Sequence, residues 1–281
     1  MQRRRFGKTE IALPVIGQGT WNMPESKKGR GEAIAALRRG VALGMTHIDT
    51  AEMYGAGEVE RIVGEAIASL DRESLFLVSK VLPSNASYEG TIAAAQRSLQ
   101  RLGTSHLDGY LLHWCGEYPL EETMRAMRTL IESGTIRFAG VSNCDIEELA
   151  VAERALSPYP VLCDQVLYHL YERTAEHRLF PYARTHDISI VGYTPFGRRK
   201  IAALLADRTL REIAAAHETS VRSIVLAFLT RDPMLFAIPK ASSVAHVEEN
   251  ALAGEIVLRS DEIAAIDRAF PKGPLGDLAS L

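Results

Sequence analysis

The sequence of 281 residues predicts a closed (β/α)8 TIM barrel, an α/β fold in which each of eight parallel strands is followed by a helix. Strand-like apolar segments alternate eight times with segments whose hydrophobic residues recur at helical spacing. Strict alternation implies parallel strands joined by right-handed crossovers, and eight units in this length fit a closed barrel better than an open sheet. No proline- or serine-rich linker interrupts the series, so residues 1–281 are expected to form a single barrel domain.

The predicted elements follow one another in a regular order. The strand candidates are LPVIGQGTW, THID, LFLVSK, LDGYLLHW, IRFAGVSN, VLCDQVLYHL, ISIVGYTPF and LFAIPK. The helix candidates that follow them are EAIAALRRGVALG, VERIVGEAIASL, YEGTIAAAQRSLQRLG, LEETMRAMRTLIESG, DIEELAVAERAL, LFPYARTHD, the long region LREIAAAHETSVRSIVLAFLTRD, and VAHVEENALAG. One more helix, SDEIAAIDRAF, follows the series, and a β-hairpin around FGKTE precedes it and is expected to cap the bottom of the barrel.

Local signals support the first elements and disfavour the main alternative fold. In the first helix, Ile34, Leu37 and Val41 recur at helical spacing, and Gly44 predicts its end. The alternative, a doubly wound open sheet, normally binds a dinucleotide through G-x-G-x-x-G after its first strand. The segment GQGTWN has only the first two of these glycines, so the open sheet is disfavoured.

The overall composition argues against several classes of partner. A net charge of −3, 47% hydrophobic residues and 24% charged residues are ordinary for a soluble globular protein. They predict no nucleic-acid or membrane partner, and the pairs Arg38-Arg39 and Arg198-Arg199 are interpreted as solvated surface. The basic start MQRRRFGK does not resemble a signal peptide, and no stretch approaches the roughly 18 apolar residues of a membrane span. We expect a cytoplasmic protein that is a monomer or a weak homo-oligomer.

The three cysteines, Cys115, Cys144 and Cys163, are odd in number and have no CxxC spacing. This pattern disfavours a disulfide framework and a structural zinc site, and it predicts reduced thiols. Cys115 comes two residues after His113, so a reactive thiol there is a minor alternative to a small, partly buried cysteine.

Four ionisable residues lie at or just beyond the ends of three successive strand candidates. They are Asp49 and Tyr54 after THID, Lys80 at the end of LFLVSK, and His113 in LDGYLLHW. In a parallel barrel these ends meet on the C-terminal face, where active sites are built. Together the four groups suggest proton transfer to or from an oxygen, with the tyrosine acidified by its cationic neighbour. Each has a structural explanation by itself, but independent accidents would not place four fitting groups at consecutive strand ends.

The remaining strand ends carry no competing chemistry. They include no carboxylate pair for glycoside hydrolysis, no residues at metal-ligand spacing and no G-x-S-x-G nucleophile elbow. The sequence therefore predicts no metal site. His47, which precedes Asp49 on its strand, is interpreted as structural.

The segments at the strand ends resemble those of the aldo-keto reductase superfamily from about residue 4 to about residue 270. HIDTAEMYG, LVSK and YLLHW are similar to the segments that carry the family's aspartate, tyrosine, lysine and histidine. GVSN, DQVLYH, YTPF, and IPK followed by EEN resemble its cofactor-binding segments and occur in the family's order. The pattern is most similar to bacterial members that reduce methylglyoxal and related aldehydes.

The resemblance implies an oxidoreductase that passes a hydride from NADPH to small aldehydes or ketones and so forms alcohols. Tyr54 would protonate the developing alkoxide, with Lys80 lowering the pKa of the tyrosine from about 10. Asp49 would keep the Lys80 ammonium in place, and His113 would orient the carbonyl oxygen.

The resemblance also implies which residues bind the cofactor, from its nicotinamide to its adenine. The implied contacts are, in that order, Ser142, Asn143 and Gln165 with the carboxamide, Tyr193 with the ring, Thr194 and Phe196 with the pyrophosphate, Lys240 with the adenosine 2′-phosphate, and Glu249 and Asn250 with the adenine.

One departure from the family pattern concerns this phosphate. Many members have serine directly after the lysine and arginine six residues after it, where this chain has Ala241 and His246. A charged, bidentate phosphate partner is thus replaced by a group that titrates at about pH 6.5. Because Lys240, Ser242 and Ser243 remain, we predict NADPH as the cofactor, with NADH or dual use as the alternative.

The substrate pocket is predicted to be an apolar bowl lined by Trp21, Met53, Tyr54 and Trp114, with Phe196 or the loop after it closing in. The loop WCGEYP and the tail after residue 270 are short. Both features favour a small carbonyl substrate over a bulky one.

Two functions of other classes remain open. A Schiff-base lyase or aldolase on the same barrel would use Lys80 as its nucleophile and would need no nicotinamide. A redox-sensing barrel would bind NADPH with little turnover. Borohydride trapping of substrate on Lys80 would favour the lyase, and tight NADPH binding without consumption would favour the sensor.

Overall fold

A computed structural model of the protein describes residues 1–24 and 26–280. Its strands are β1 (Arg3–Arg5), β2 (Ala12–Pro14), β3 (Gln18–Gly19), β4 (His47–Asp49), β5 (Phe76–Val81), β6 (Leu107–Leu112), β7 (Ile136–Ser142), β8 (Val161–Leu167), β9 (Ser189–Tyr193) and β10 (Leu235–Ala237). Its helices are α1 (Lys27–Ala42), α2 (Glu58–Ile67), α3 (Tyr88–Leu102), α4 (Leu120–Glu132), α5 (Ile146–Leu156), α6 (Leu179–His186), α7 (Ile201–Ala206), α8 (Arg208–Ala216), α9 (Val221–Leu229), α10 (Val244–Ala253) and α11 (Ser260–Ala269). In the described residues, β3 to β10 form one eight-stranded parallel sheet in chain order.

Hydrogen bonds between the first and last strands of this sheet close it into a barrel. The backbone N–H groups of Gly17 and Gly19 donate to the carbonyls of Ala237 (2.8 Å) and Pro239 (3.2 Å). This close approach requires glycine at position 19, because a Cβ there would lie 2.5 Å from the Ile238 carbonyl oxygen. The predicted (β/α)8 barrel is therefore confirmed, with a first barrel strand whose regular part is only two residues long.

The N-terminal hairpin caps the bottom of the barrel, as predicted. Arg3 pairs with Pro14 and Arg5 pairs with Ala12 in antiparallel register. The chain then inserts Phe6, which is 1% exposed and lies in edge-to-face contact with Phe236, with 4.8 Å between ring centroids. Apolar side chains therefore fill the barrel interior at the end opposite the C-terminal ends of the strands.

The helices form a layer outside the strands. Along the chain, α1 packs against α2, α2 against α3, α3 against α4 and α4 against α5, and α10 returns to contact α1. In the described part of the chain, none of these helices has the length and hydrophobicity that crossing a membrane requires.

The helical region near the C-terminus differs from the predicted long stretch. Residues 210–232 contain most of α8 and all of α9, separated by a turn in which Glu218 has a φ of +50°. Ser220 begins α9 by accepting a hydrogen bond from the Ser223 N–H (3.2 Å), because serine is a favourable N-cap. The six-residue α7 has no counterpart among the predicted helices, since so short an element carries little periodic signal.

His47 packs in the lower interior of the barrel, where the sequence interpretation as a structural residue fits its contacts. Its ring centroid lies 5.8 Å from that of Phe6 and 5.7 Å from that of Phe76. Burial lowers the pKa of His47 from 6.5 to about 4, outweighing the attraction of Asp49. The folded protein therefore holds this imidazole neutral.

This burial predicts a pH dependence of stability. Between about pH 6.5 and about pH 4 the unfolded chain binds a proton at position 47 that the folded chain does not bind, so stability present above this window is lost as the pH falls through it. The free energy of unfolding should fall by up to about 1.4 kcal/mol per pH unit from this group. Urea titrations at several pH values measure the slope, and His47→Gln should reduce it. The exposed His246 provides the matched control, His246→Gln, and equal slopes in both variants would contradict the assignment.

Candidate active site

The C-terminal ends of the barrel strands surround an open cleft with about 760 Å³ of empty space. Asp49, Tyr54 and His113 line this cleft. Lys80 is 0% exposed and contacts two of them from within the barrel wall. The structure therefore brings together the four residues that the sequence pattern placed at consecutive strand ends.

Three oxygen atoms hold the Lys80 ammonium. Its Nζ donates to Asp49 Oδ2 at 2.7 Å, to the Thr50 carbonyl at 2.9 Å and to the Tyr54 hydroxyl at 3.5 Å. Asp49 is positioned from its other side by Gln165, whose Nε2 donates to Oδ1 at 2.8 Å. Burial opposes the charge on Lys80, but Asp49 and Tyr54 raise its pKa above the ordinary value. The lysine is a cation at neutral pH.

Residues 50–53 join β4 to a short 3-10 turn (Tyr54–Gly57), which places Tyr54 at the cleft. The turn needs glycine at position 57, where φ is +92° and a Cβ would lie 2.5 Å from a neighbouring side chain. Glu52, which is 6% exposed, accepts a hydrogen bond from the Leu82 N–H at 2.8 Å and so ties this loop to the end of β5. The tyrosine is thereby held from both sides of its loop.

The predicted acidification of Tyr54 is wrong in its net direction. Burial raises the pKa of Tyr54 above its ordinary value of 10.0, and the nearby Lys80 lowers it by less than burial raises it. Lys80 thus limits the rise instead of producing a fall. A tyrosine that stays protonated through the neutral range is suited to donate a proton.

His113 is a neutral imidazole at neutral pH. Burial, assisted by the Lys80 cation, lowers its pKa from 6.5 to about 3. Its ring lies edge-on to the Tyr54 ring, with 5.7 Å between centroids. Within the described residues, the buried Nδ1 atom has no hydrogen-bond partner. A neutral imidazole can donate one hydrogen bond to an oxygen in the cleft without adding charge there.

A second hydrogen-bond network joins the ends of β6 to β9 across the cleft. Asn143 Nδ2 donates to the His113 carbonyl (3.2 Å) and to Ser142 Oγ (3.0 Å), and the Tyr193 hydroxyl donates to Asn143 Oδ1 (2.8 Å). Ser142 Oγ in turn donates to the Gln165 carbonyl at 2.7 Å. Asn143 has a φ of +58°, a left-handed conformation that asparagine tolerates better than most residues. The four residues predicted to bind the nicotinamide therefore form one connected unit.

The other predicted cofactor residues continue from the cleft toward the start of α10. Thr194 and Lys240 line the cleft, and Lys240 Nζ donates to Ser242 Oγ at 3.2 Å. His246 lies in the first turn of α10, with its side chain exposed and its backbone N–H donating to Ser243 Oγ at 3.4 Å. A lysine, two serines and a helix N-terminus are thus close together at this end.

Three of the four residues predicted to cover the pyrophosphate and to contact the adenine do not line the cleft itself. They are Phe196, Glu249 and Asn250. Arg222, which sequence reasoning missed, connects two of them, with its guanidinium carbon 5.2 Å from the Phe196 ring centroid and its Nε 3.5 Å from Glu249. Nothing in the sequence marked this arginine, because it lies within a helix outside every strand-end segment.

The predicted substrate residues, Trp21, Met53 and Trp114, all line the cleft. Arg198 lines it too, with its guanidinium carbon 4.3 Å from the Trp21 ring centroid. The interpretation of Arg198 as plain solvated surface is therefore incomplete: the side chain is exposed, but at the mouth of the cleft. Phe196, predicted to close in on the substrate, is only half-buried and lies outside the lining.

Comparisons with known proteins identify the family to which this barrel belongs. The model of the aldo/keto reductase family matches residues 15–270. The chain belongs to the aldo/keto reductase family. Methylglyoxal reductase YeaE of Escherichia coli (strain K12) is 43% identical over 272 residues, which cover 96% of this chain and 95% of that protein. The predicted resemblance is confirmed.

Solved structures of this family superimpose closely on the barrel. An aldo/keto reductase from Klebsiella pneumoniae in complex with NADP and acetate has a TM-score of 0.92 and 40% identity, covering 99% of both chains. An aldo-keto reductase from the same organism in complex with NADPH has the same TM-score and identity, covering 100% of both chains. The protein is therefore an aldo/keto reductase in fold and in sequence.

Proposed function

We propose that the protein uses NADPH to reduce small aldehydes and ketones of the methylglyoxal type to alcohols, with Tyr54 as the general acid. The observation that carries this proposal is the Tyr54 hydroxyl at the cleft, 3.5 Å from the ammonium of a fully buried lysine. A bound nicotinamide supplies the hydride for the carbonyl carbon. The similarity to a methylglyoxal reductase and to proteins crystallised with NADP or NADPH supports the substrate class and the cofactor.

The catalytic residues divide the work between orientation and proton transfer. Neutral His113 donates a hydrogen bond to the substrate carbonyl oxygen and orients it. Tyr54 gives its proton to the same oxygen as negative charge develops there. The phenolate that remains is stabilised by the Lys80 ammonium, which Asp49 holds in place at 2.7 Å.

The shape of the cleft favours a small substrate. Trp21 and Trp114, each 38% exposed, and the partly buried Met53 form apolar walls around the Tyr54 hydroxyl. A pocket with apolar walls and a few polar groups at one point is typical of small-ligand sites. A compact carbonyl compound can place its oxygen at Tyr54 and its short side chain against the indole rings.

The residues present fit a nicotinamide dinucleotide. Ser142, Asn143 and Gln165 line the cleft beside the catalytic group, where amide and hydroxyl groups suit a carboxamide. The hydrogen bond from Tyr193 to Asn143 fixes the orientation of the tyrosine ring for stacking. The buried Oδ1 of Asn250 has no partner within the described residues, and it suits a donor such as the adenine amino group.

The residues predicted to bind the adenosine part of the cofactor favour NADPH. Lys240 has a hydroxyl partner and, among the residues that the structure describes, no carboxylate partner. Enzymes that prefer NAD commonly hold the ribose hydroxyl with an acidic residue. Glu249, the acidic side chain predicted nearby, is already paired with Arg222. NADH or dual use is the alternative, because His246 stands where many relatives have an arginine.

Lys240→Ala should raise the KM for NADPH by roughly 10- to 100-fold, because a charged hydrogen bond to phosphate is worth about 1.5–3 kcal/mol. The KM for NADH should change little, since NADH lacks the 2′-phosphate. Lys240→Arg keeps the charge and is the matched control, and His246→Arg should lower the KM for NADPH. Equal increases in both KM values would place Lys240 away from the phosphate.

The geometry of Lys80 disfavours the Schiff-base lyase. A nucleophilic lysine must be neutral and accessible, whereas Lys80 is fully buried, has three oxygen partners and has a raised pKa. Borohydride trapping of an aldehyde on Lys80 would reverse this conclusion.

Turnover of methylglyoxal and of an aromatic aldehyde, with NADPH and with NADH side by side, tests the proposed function. We expect NADPH to be consumed with methylglyoxal, at a higher kcat/KM than NADH. Tight NADPH binding without consumption by either aldehyde would instead identify a redox-sensing barrel. We further propose that residues 1–281 act as one barrel domain in the cytoplasm, as a monomer or weak homo-oligomer.

A further inference from the structure

Cys115 and Cys144 meet beside the cleft although they are 29 residues apart in the chain, with 3.4 Å between their sulfur atoms. Cys115 lies beyond the end of β6 and is half-buried, and Cys144 lies beyond the end of β7 and is fully buried. The two strands are neighbours in the barrel, so their ends bring the thiols together. The pair could not be predicted from the sequence, because the spacing of the two cysteines matches no dithiol motif.

We propose that Cys115 and Cys144 form a redox-active dithiol, which a hydroperoxide converts to an intramolecular disulfide. A disulfide bond is about 2.05 Å long, so the two sulfur atoms need to approach by only about 1.3 Å. Cys163 is not part of the pair, since it packs in the barrel interior among apolar residues.

The surroundings of the two thiols set the order of reaction. A peroxide can reach the partly exposed Cys115 first. The hydrogen bond to Cys115, together with burial, raises the pKa of the Cys144 thiol well above its usual range. The two sulfur atoms share one hydrogen-bond contact, in which either thiol can be the donor.

The reaction balances with a hydroperoxide as the oxidant. The Cys115 thiol loses its proton as its sulfur attacks one peroxide oxygen, and the O–O bond breaks. The departing oxygen takes up that proton and leaves as water (or alcohol), so that Cys115 becomes a sulfenic acid. The Cys144 sulfur then attacks the Cys115 sulfur, the S–O bond breaks, and the hydroxide leaves as water with the Cys144 proton. With hydrogen peroxide, two thiols and one peroxide give one disulfide and two waters.

A metal ion is the other occupant to consider, because the Cys115, Cys144 and Glu148 ligand atoms all lie within 4.8 Å of one another. Glu148, however, already accepts a hydrogen bond from the Asp145 N–H at 2.8 Å, as part of the capping box of α5. A metal ion bound there would have to share this carboxylate with the helix cap. The observations therefore favour the dithiol.

The disulfide would join two segments that hold the proposed active site. Cys115 follows His113 and Trp114, and Cys144 follows Asn143, whose Nδ2 donates to the His113 carbonyl. Drawing the sulfur atoms together displaces one or both segments, and small displacements of positioning groups are costly to turnover. This consequence rests on the proposed function, whereas the formation of the disulfide does not.

The chemical test treats the fully reduced protein with hydrogen peroxide, with and without prior chelation, and then counts thiols and maps peptides by mass spectrometry. We expect two thiols to be lost, a linked pair of peptides containing Cys115 and Cys144, and recovery with dithiothreitol. Cys163→Ala should keep this link, and Cys115→Ser and Cys144→Ala should each lack it. The proposed dithiol would be overturned if all three thiols survived the peroxide or if disulfides formed only between copies of the chain. It would also be overturned if the thiols resisted oxidation until a chelator was added.

The functional test measures NADPH-dependent turnover of methylglyoxal before and after oxidation. We expect oxidation to lower kcat/KM by roughly tenfold or more in the wild type, with recovery in dithiothreitol and no such loss in Cys115→Ser. A mapped disulfide with unchanged turnover would overturn its coupling to the active site. An inactive reduced protein that still forms the disulfide would count against the proposed function and leave the dithiol supported.

Discussion

Tyr54→Phe should lower kcat for methylglyoxal reduction by roughly 10²- to 10⁴-fold, while NADPH binds with nearly unchanged affinity. The substitution removes the proposed proton donor and keeps the ring that packs 5.7 Å from His113. The salt bridge between Lys80 and Asp49, at 2.7 Å, does not depend on the hydroxyl. The loss should therefore appear in turnover and not in folding.

Absorbance of NADPH measures this turnover, and a fluorescence titration measures cofactor binding in the same preparation. The exposed Tyr171 lies outside the cleft lining, so Tyr171→Phe is the matched control and should retain its activity. A near-normal rate in Tyr54→Phe would show that another group supplies the proton.

Lys80→Met should cost both activity and stability. It leaves the Asp49 carboxylate, which is 1% exposed, without its cation, and breaking a buried pair in this way typically costs about 3–5 kcal/mol. Turnover should fall as well, because the phenolate of Tyr54 would lose the charge 3.5 Å away that stabilises it. Urea unfolding followed by circular dichroism measures the first effect, and the NADPH assay measures the second.

A second variant separates the two effects. Adding Asp49→Asn to Lys80→Met removes the unpaired charge and keeps an oxygen that can accept the hydrogen bond from Gln165. Much of the lost stability should return, while turnover should not, because no cation remains beside Tyr54. Recovery of turnover in the double variant would contradict the role of Lys80 in proton transfer.

The barrel and the four catalytic candidates were predictable because each residue directly ends or follows an apolar run. Asp49 ends β4 and Lys80 lies near the end of β5, so the alternation that predicts the strands also predicts where the side chains meet. The break between α8 and α9 was not predictable in this way, since helical periodicity continues on both sides of the turn at Glu218.

Features that depend on distances between elements were beyond sequence reasoning. The net pKa shift of Tyr54 depends on how far burial outweighs a lysine 3.5 Å away. The contact between Cys115 and Cys144 depends on the register of neighbouring strand ends. Arg198 belongs to a loop whose positive φ angles at residues 197 and 198 turn the chain at the mouth of the cleft. No local pattern carries this information.

The most direct test of Tyr54-dependent carbonyl reduction follows methylglyoxal loss, NADPH oxidation and alcohol formation in one reaction. We expect one NADPH to be oxidised for each carbonyl reduced, and all three signals to fall together in Tyr54→Phe. Loss of the aldehyde without NADPH oxidation, or NADPH oxidation that persists at a near-normal rate without the Tyr54 hydroxyl, would contradict this mechanism.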